Sequence, residues 1–204
     1  MLSARPPRQR LEDGPTAIEP SGVPLASEFA EAVIANRSHT EPWEPIHGER
    51  HYSPDGQLEV VRRDEAAWDA GVGYAFAVRD ASDGDRIIGR ISLGNVVYGA
   101  WRNATLGYWI AADAAGRGHG TRAVGLICGF GFGPARLHRI QPAVIPRNER
   151  SRRVLEKSGF RLEGRALRYL NIAGRWEDHD LYGMTAEEWT AQPPFAQRTV
   201  KDST

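Results

Sequence analysis

The sequence predicts an α/β fold, of the α+β type, with a mixed central sheet flanked by helices, and two observations lead to it. The first is the passage at 106–126, where a short apolar run with aromatic residues changes through a glycine-rich turn into a helical pattern. This order indicates a buried strand, a tight loop and an amphipathic helix. The second is that predicted strands and helices occur on both sides of this passage, without internal repeats. Together they predict a mixed sheet with two helices that cross it after the central strands.

The composition limits the classes of function. The chain has 204 residues, of which 41% are hydrophobic and 25% are charged, as in a globular protein of one domain. Lys plus Arg and Asp plus Glu both number 26, and zero net charge argues against non-specific nucleic-acid or membrane binding as the main activity. We expect no specific nucleic-acid partner and no membrane partner. The sequence has no long apolar segment and no secretory pattern at its start, so we expect a cytoplasmic protein. Cys128 lies on the apolar face of a predicted helix and is interpreted as a core residue.

The chain divides into one domain and two terminal segments. Residues 1–15 are rich in proline and arginine and are expected to be flexible, as are residues 191–204. The domain is therefore predicted to span 16–190.

The first part of this domain contains two predicted helices separated by an irregular segment. The first helix spans 24–37, with apolar residues at helical spacing and Ser21 as a candidate start signal, and the second spans 56–69, with Ser53 or Asp55 as its cap. The segment 38–56 between them is rich in proline, histidine and acidic residues.

The remaining elements follow from β-rich runs bounded by turn residues. The glycine-rich turn leads into a helix at 121–131, and a later helix begins at Asn148 and stops at Gly159. A hairpin turn is predicted at 81–85. The predicted strands are 16–19, 74–78, 86–97, 105–111, 138–144, 167–172 and 176–181.

The glycine-rich turn suits an anion. Glycines at 116, 118 and 120 precede the helix, and a strand that turns into a helix this way leaves unpaired N–H groups at the positive end of the helix dipole. Such a site suits a diphosphate. The alternative is a tight left-handed turn without a ligand. The spacing fits neither a Walker loop nor a dinucleotide fingerprint.

Six segments in register give the sequence a resemblance to a known family. They are PWEP at 42–45, YGAWRNATLGYWI at 98–110, GRGHGTRA at 116–123, HRI at 138–140, RNERSRRVLEKSGFRLEG at 147–164 and YLNIAGRWEDHDLY at 169–182. With them the chain resembles the GNAT-fold N-acetyltransferases, in the branch of the ribosomal-protein-alanine N-acetyltransferases RimJ and RimL. The resemblance covers most of residues 16–190.

The resemblance implies that acetyl-CoA binds where two central parallel strands of the mixed sheet splay apart. Strand 108–111 pairs with the pantetheine arm as an added strand would, the loop 116–121 holds the diphosphate, and Asn148 holds the pantetheine. The family usually has Gln or Arg where this chain has Ala115, but the loop acts largely through its backbone. The implied cofactor-binding residues are Trp109, Ile110, Ala111, Ala115, Gly116, Arg117, Gly118, His119, Gly120, Thr121, Arg122, Asn148 and Ser151.

Acetyl transfer needs a neutral amine at the thioester, a polarised carbonyl and a proton donor for the leaving thiolate. We expect a backbone N–H near Ile110 to polarise the carbonyl and Ser151 to be the proton donor, the alternative being that Ser151 only bonds the backbone at a helix start. Residues 168–171 lack the carboxylate that some family members place there. Glu44 is the candidate base, or else a loop carboxylate that attracts the cationic amine.

An N-terminal amine demands little of a base. An α-amine with a pKa of about 8 needs about 1.4 kcal/mol for deprotonation at pH 7, against about 4.6 kcal/mol for a lysine. The acceptor is predicted to be the N-terminal amine of a ribosomal or other protein, with a small amine as the alternative. A non-catalytic acetyl-CoA-binding regulator is a further alternative. We expect a monomer or a homodimer.

Several other side chains have more than one interpretation. Trp43, Glu44 and Trp101 are predicted to bind the acceptor, and Trp176 is a further candidate for the cleft, although Trp101 and Trp176 also suit a core. The histidines at 39, 47 and 51 fit no metal-ligand spacing, so no metal is expected. A cluster of basic side chains either contacts the 3′-phosphate of the nucleotide or forms a solvated helix face. The cluster comprises Arg147, Arg150, Arg152, Arg153 and Lys157.

Overall fold

Eight strands form a single mixed sheet in the order β1-β2-β3-β4-β5-β6-β8-β7 in the computed structural model, which describes residues 5–190. The neighbouring strands are antiparallel except for β5 and β6, which run parallel. The strands are β1 (Leu11–Asp13), β2 (Thr16–Pro20), β3 (Tyr74–Asp80), β4 (Arg86–Val97), β5 (Asn103–Ile110), β6 (Arg139–Val144), β7 (Arg161–Ile172) and β8 (Arg175–Thr185).

Six α-helices cover the two faces of this sheet. They are α1 (Ala26–Ala35), α2 (Arg37–Thr40), α3 (Pro54–Ala70), α4 (His119–Phe132), α5 (Glu149–Lys157) and α6 (Ala186–Thr190). Short 3₁₀ turns lie at Val23–Leu25, Glu41–Trp43, Glu49–Tyr52 and Ala112–Ala114. Within the described part of the chain, no helix is long and apolar enough to cross a membrane.

The central parallel pair is joined along only part of its length. Residues 103–106 of β5 pair with residues 139–142 of β6, and the ladder ends there although both strands continue. Pro142 occupies the last paired position of β6, and proline has no N–H to donate across the gap. The two strands therefore splay beyond this point, which confirms the predicted splayed pair within a mixed sheet.

Alternation along the strands assigns the helices to opposite faces of the sheet. Arg90 of β4 bonds Asp64 of α3 and lies over the Phe29 ring of α1. Residues an odd number of positions away from Arg90 along β4 point to the other face. Leu93 is one of them, and a Cβ built on Gly131 of α4 would lie 3.1 Å from its side chain. We call these the α1/α3 face and the α4/α5 face.

Each face has its own apolar core. The larger core lies under α4 and includes a cluster of Trp68, Tyr74, Phe76 and Phe130 with ring centroids 5.1–5.4 Å apart. The smaller core lies under α1 and α3 and includes Phe29, Val61 and Ala77. Cys128 is fully buried in the larger core, as predicted.

Most predicted elements are present, and the caps are the most specific agreement. Ser53 caps α3 by accepting from Gly56 N at 3.1 Å, and Asn148 caps α5 by accepting from Ser151 N at 3.1 Å. Gly159 has a φ of 84° after α5, as its predicted role as a helix stop requires. Ser21 caps no helix, because its hydroxyl donates to Asp64 at 2.7 Å.

The largest differences lie at the two ends of the described chain. Strand β1 and the bond from Trp68 Nε1 to the Pro6 carbonyl at 3.2 Å fall inside the segment 1–15 that we expected to be flexible. Strand β7 begins at Arg161 rather than 167, because this edge strand is solvent-exposed along most of its length and has no apolar alternation to reveal it. Residues 191–204 lie outside the described residues.

Candidate active site

The loop between β5 and α4 presents a row of backbone N–H groups. Gly116 and Gly118 adopt φ values of 80° and 88°, which favour glycine. Gly118 caps α4 without a side-chain hydrogen bond. Among the described residues, none accepts a hydrogen bond from the N–H groups of residues 116–121. With the helix dipole, these groups form an anion site at the start of α4.

A second set of backbone groups lies along β5 where β6 has diverged. The Ala111 N–H donates to Ile88 of β4 at 2.7 Å. Because N–H groups alternate between the two edges of a strand, those of Tyr108 and Ile110 point toward the splay. Ile110 thus fits its predicted place at the open edge, whereas the N–H of Ala111 does not face a ligand there.

The N-terminus of α5 forms the other wall of the splay. The Asn148 side-chain oxygen is engaged in capping the helix, which leaves its amide N–H groups to face a ligand. Ser151 is half-buried in the first turn, and its Oγ lies 2.9 Å from the Tyr108 hydroxyl of β5. Burial raises the pKa of Tyr108 to about 12, so its hydroxyl stays protonated at neutral pH.

These residues fit acetyl-CoA. The unpaired N–H groups of 116–121 suit a diphosphate, and a Cβ at Gly116 would meet no atom within 4 Å, so the loop is open to a ligand. The open edge of β5 offers the pairing that the amides of a pantetheine arm require. Ser151 lies beside this edge, next to Tyr108.

His119 differs from its predicted role, because its side chain points away from the loop. It is 2% exposed, and its Nδ1 lies 2.9 Å from Thr16 Oγ1. Its Nε2 lies 3.3 Å from the carboxylate of the fully buried Asp80, which also lies 3.5 Å from Arg117 Nη1. Burial lowers the pKa of the His119 imidazole, partly offset by Asp80. This buried group anchors the loop to β2 and β3, so His119 can offer a ligand only its backbone N–H.

The two arginines of the loop keep their guanidinium groups near the anion site. Arg117 is half exposed beside Asp80. Arg122 donates from Nη1 to the Arg117 carbonyl at 3.3 Å and lies against Gly118. Both charges therefore remain within reach of a diphosphate.

The α1/α3 face of the splay is covered by the segment 41–52, which we call the cover loop. The N–H of Ala173, in the turn between β7 and β8, donates to the Glu44 carbonyl at 2.9 Å. Arg147, just before α5, lies 5.2 Å over the Trp43 ring and 3.0 Å from Glu177 of β8. The cover loop, the β6–α5 connection and the β7–β8 hairpin therefore meet at one place.

Glu44 is the most desolvated carboxylate of the cover loop. Burial raises the pKa of the Glu44 carboxyl, and His47 and the Thr40 hydroxyl oppose this shift. Its Oε2 lies 3.7 Å from His47 Nε2. The His47 ring in turn stacks on His51, with centroids 3.9 Å apart. Burial, and then the charge of His47, lowers the pKa of His51 to about 4.

The remaining predicted residues divide between the site and distant positions. Trp109 is paired with Arg90 and shares its α1/α3 face. Trp101 precedes β5 at the joined end of the parallel pair, and the rise per residue places the start of β5, at Asn103, about 23 Å along the strand from Ile110. Trp101 therefore lies away from the splay, and its role in the acceptor cleft stays a prediction. Trp176 is 64% exposed in the β7–β8 hairpin and is not a core residue.

The basic side chains around α5 are mostly engaged. Arg147, Arg152 and Arg153 make ion pairs with carboxylates, whereas Arg150 and Lys157 make none with a described residue. Among residues 5–190 there is also no cluster of three or more His, Cys, Asp or Glu side chains that could bind a metal ion.

Three residues of this region were missed by the sequence analysis: Tyr108, Asp80 and Glu177. In the sequence, Tyr108 is one of several apolar and aromatic residues of a buried strand. Only the alternation of side chains along β5 indicates that it lies on the face that carries α5. Asp80 and Glu177 reach the site through pairing of distant strands, for which the sequence gives no signal.

Comparison with known proteins places this geometry in context. The sequence matches the acetyltransferase (GNAT) domain family over residues 23–161. It is 36% identical over 164 residues to the "Probable N-acetyltransferase YjcK" of Bacillus subtilis, covering 80% of this chain and 90% of that protein. It is 34% identical over 166 residues to the ribosomal protein uS5-alanine N-acetyltransferase of Escherichia coli, covering 81% and 83%. The solved structure of Mycobacterium smegmatis RimJ in complex with CoA-disulfide is 33% identical, with a TM-score of 0.82 and coverage of 90% and 87%.

Proposed function

Because this chain belongs to the acetyltransferase (GNAT) domain family and is an N-acetyltransferase of that type, we propose that it transfers the acetyl group of acetyl-CoA to the N-terminal α-amine of a protein. A ribosomal protein is the candidate acceptor, by similarity to the relative that acts on ribosomal protein uS5. The observation that carries the proposal is the alignment of three features along the splay. They are the free N–H groups of 116–121, the open edge of β5 and Ser151.

The chain's own groups have separable tasks in this proposal. Acetyl-CoA, when bound, supplies an activated thioester carbonyl. The Ile110 N–H points into the splay and polarises that carbonyl as a fixed donor. The Ser151 hydroxyl donates to the sulfur as the carbon–sulfur bond breaks. Asn148 and the loop 116–121 fix the position of these atoms relative to the amine.

The acceptor amine reaches the carbon from the α1/α3 face, under the cover loop. Glu44 attracts the cationic amine and takes its proton, which leaves a neutral nitrogen for attack. Because an α-amine releases its proton readily near neutral pH, a carboxylate with a raised pKa is sufficient as the base. Trp43, held under Arg147, forms the apolar wall against which the first residues of the acceptor pack.

The test is an acceptor screen with the purified chain and acetyl-CoA. One set contains peptides that begin with Ala or Ser, with N-terminally blocked copies that keep an internal lysine as controls, and the other contains small amines. We expect thiol release with the free peptides and one acetyl group at their N-terminus by mass spectrometry. Transfer to small amines alone would reject the protein acceptor, and binding of acetyl-CoA without any transfer would favour a regulator.

A further inference from the structure

The Tyr108 hydroxyl contacts Ser151, the proposed donor to the leaving thiolate. Its oxygen lies 2.9 Å from Ser151 Oγ and 3.2 Å from the Ser151 backbone carbonyl. The phenol comes from β5 on the α4/α5 face, and it crosses the splay to reach the first turn of α5. Strand β5 thus places the Tyr108 hydroxyl within hydrogen-bond distance of the Ser151 hydroxyl, the proposed donor to the sulfur.

We propose that Tyr108 is a positioning residue that turns the Ser151 hydroxyl hydrogen toward the thiolate leaving group, so that the two hydroxyls act as one polarised donor chain. This inference rests on the proposed function. Tyr108 has a single hydrogen, which it can give to Ser151 Oγ or to the Ser151 carbonyl. When it donates to Oγ, the Ser151 hydrogen is free for the sulfur, and each bond strengthens the other.

The arrangement favours hydrogen bonding over complete proton transfer. Burial keeps the pKa of Tyr108 near 12, whereas a thiol has a pKa of about 8.5. A proton passed from the tyrosine to the thiolate would therefore be opposed by more than about 10³-fold. In the transfer step the amine nitrogen bonds the acetyl carbon, the carbon–sulfur bond breaks, and its electron pair goes to sulfur. Glu44, whose side chain is partly exposed, passes the first ammonium proton to solvent before the attack and then accepts the remaining proton of the attacking nitrogen. The thiolate leaves while hydrogen-bonded to Ser151.

The first measurement is kinetic and compares Tyr108→Phe, Ser151→Ala and the double variant in the full chain. The phenylalanine keeps the ring that packs against the core and removes only the hydroxyl. With acetyl-CoA and an accepted peptide, we expect Tyr108→Phe to lower kcat about 10-fold, with KM for acetyl-CoA changed less than 2-fold. The double variant should be no slower than Ser151→Ala, because the tyrosine acts only through the serine.

The second measurement does not depend on turnover. Ultraviolet titration of CoA bound to the protein, from pH 6 to 9, reports the thiolate directly. A donor chain lowers the pKa of the bound thiol, and we expect Tyr108→Phe and Ser151→Ala each to raise it toward the free value. Cys128 does not interfere, because burial raises the pKa of its thiol far above this range.

Tyr98→Phe is the matched control. It removes a phenol hydroxyl that also makes two hydrogen bonds, to Tyr74 at 2.8 Å and to the Ala135 carbonyl at 3.2 Å, but outside the splay. We expect it to leave kcat and the bound-thiol pKa unchanged. An unchanged kcat and thiol pKa in Tyr108→Phe, or additive losses in the double variant, would overturn the role of Tyr108. A wild-type chain that acetylates no acceptor would instead overturn the proposed function, and the inference would fall with it.

Discussion

Glu44 combines two properties that oppose each other. It is a half-buried carboxylate whose pKa is raised by burial, so its charged form is destabilised by the fold. The same desolvation makes it a stronger attractor of an ammonium group and a better base. Residues selected for activity commonly reduce stability in this way.

We therefore predict opposite effects of Glu44→Gln on activity and stability. Because the substitution removes a poorly solvated charge, the free energy of unfolding at pH 7 should rise by up to about 1 kcal/mol, or about 2–4 °C in Tm. The kcat/KM for the acceptor should fall at least about 10-fold. Thermal denaturation and steady-state kinetics measure both.

Glu41→Gln is the control for this prediction, because Glu41 is an exposed carboxylate on the same cover loop, paired with Arg37. It should change stability by less than about 0.5 kcal/mol and leave kinetics unaffected. A loss of stability in Glu44→Gln, or full activity, would contradict the assignment of Glu44.

At the scale of the element, the loop that joins β5 to α4 is the proposed binding site of the diphosphate. The proposed role depends on backbone N–H groups, and the backbone path requires glycine at Gly118, with a φ of 88°. An alanine Cβ there would also lie 2.6 Å from Arg122 Nη1. The flexible end of Arg122 can shift, but the backbone conformation cannot be adopted without strain.

Gly118→Ala should therefore weaken CoA binding as well as stability. We expect a loss of about 1–2 kcal/mol in the free energy of unfolding and an increase of at least about 10-fold in Kd for CoA. The matched variant is Gly99→Ala, where φ is 76° and no atom lies within 4 Å, in the β4–β5 turn at the far end of the sheet. It should lose similar stability but bind CoA normally by calorimetry. Equal Kd values in the two variants would separate the loop from CoA binding.

At the scale of the whole molecule, the two halves of the sheet meet at one short seam. The parallel pair β5–β6 joins them over four residue pairs, and the rest of the boundary is the splay. Three segments distant in sequence close over it: the cover loop, the β6–α5 connection and the β7–β8 hairpin. The proposed acceptor site therefore depends on the complete fold and on no single element.

The pH dependence of unfolding is also a property of the whole chain. Its formal net charge is zero at pH 7, and particular buried groups add their own acid sensitivity to the repulsion that grows as the chain gains protons. Burial holds His51 and His119 neutral in the folded state by lowering each pKa, to about 4 for His51. Below pH 6.5 these histidines bind protons in the unfolded chain but not in the folded one. The free energy of unfolding is therefore highest above that pH and falls as the pH drops toward 4.

We predict that His51→Gln flattens this dependence. Between pH 7 and 4.5 the wild-type chain should lose about 1–2 kcal/mol more than the variant, after allowance for the partial exposure of the ring. Denaturant unfolding at several pH values provides the measurement. His39→Gln removes a histidine outside the stacked pair and should keep the wild-type slope. A wild-type slope in His51→Gln would show that the stack does not hold the ring neutral.

The sequence by itself determined most of the elements and the local backbone features at the starts of α4 and α5. Local signals were sufficient there, because the glycines at 116–120, the Asn148 cap and the Gly159 stop act within a few residues of their own position. The β-rich runs bounded by turn residues that correspond to β3 to β6 likewise predicted strands of the mixed sheet. The first half of the long exposed strand β7, residues 161–166, escaped prediction because an edge strand in water needs no apolar face.

Only the tertiary structure decided which side chains meet. It turned His119 away from the loop toward Asp80, placed Trp101 at the joined end of the parallel pair and brought the Tyr108 hydroxyl to Ser151. The physical reason is that these contacts join strands and helices far apart in the sequence. Their partners depend on register and on the face that each side chain takes, which no local pattern specifies.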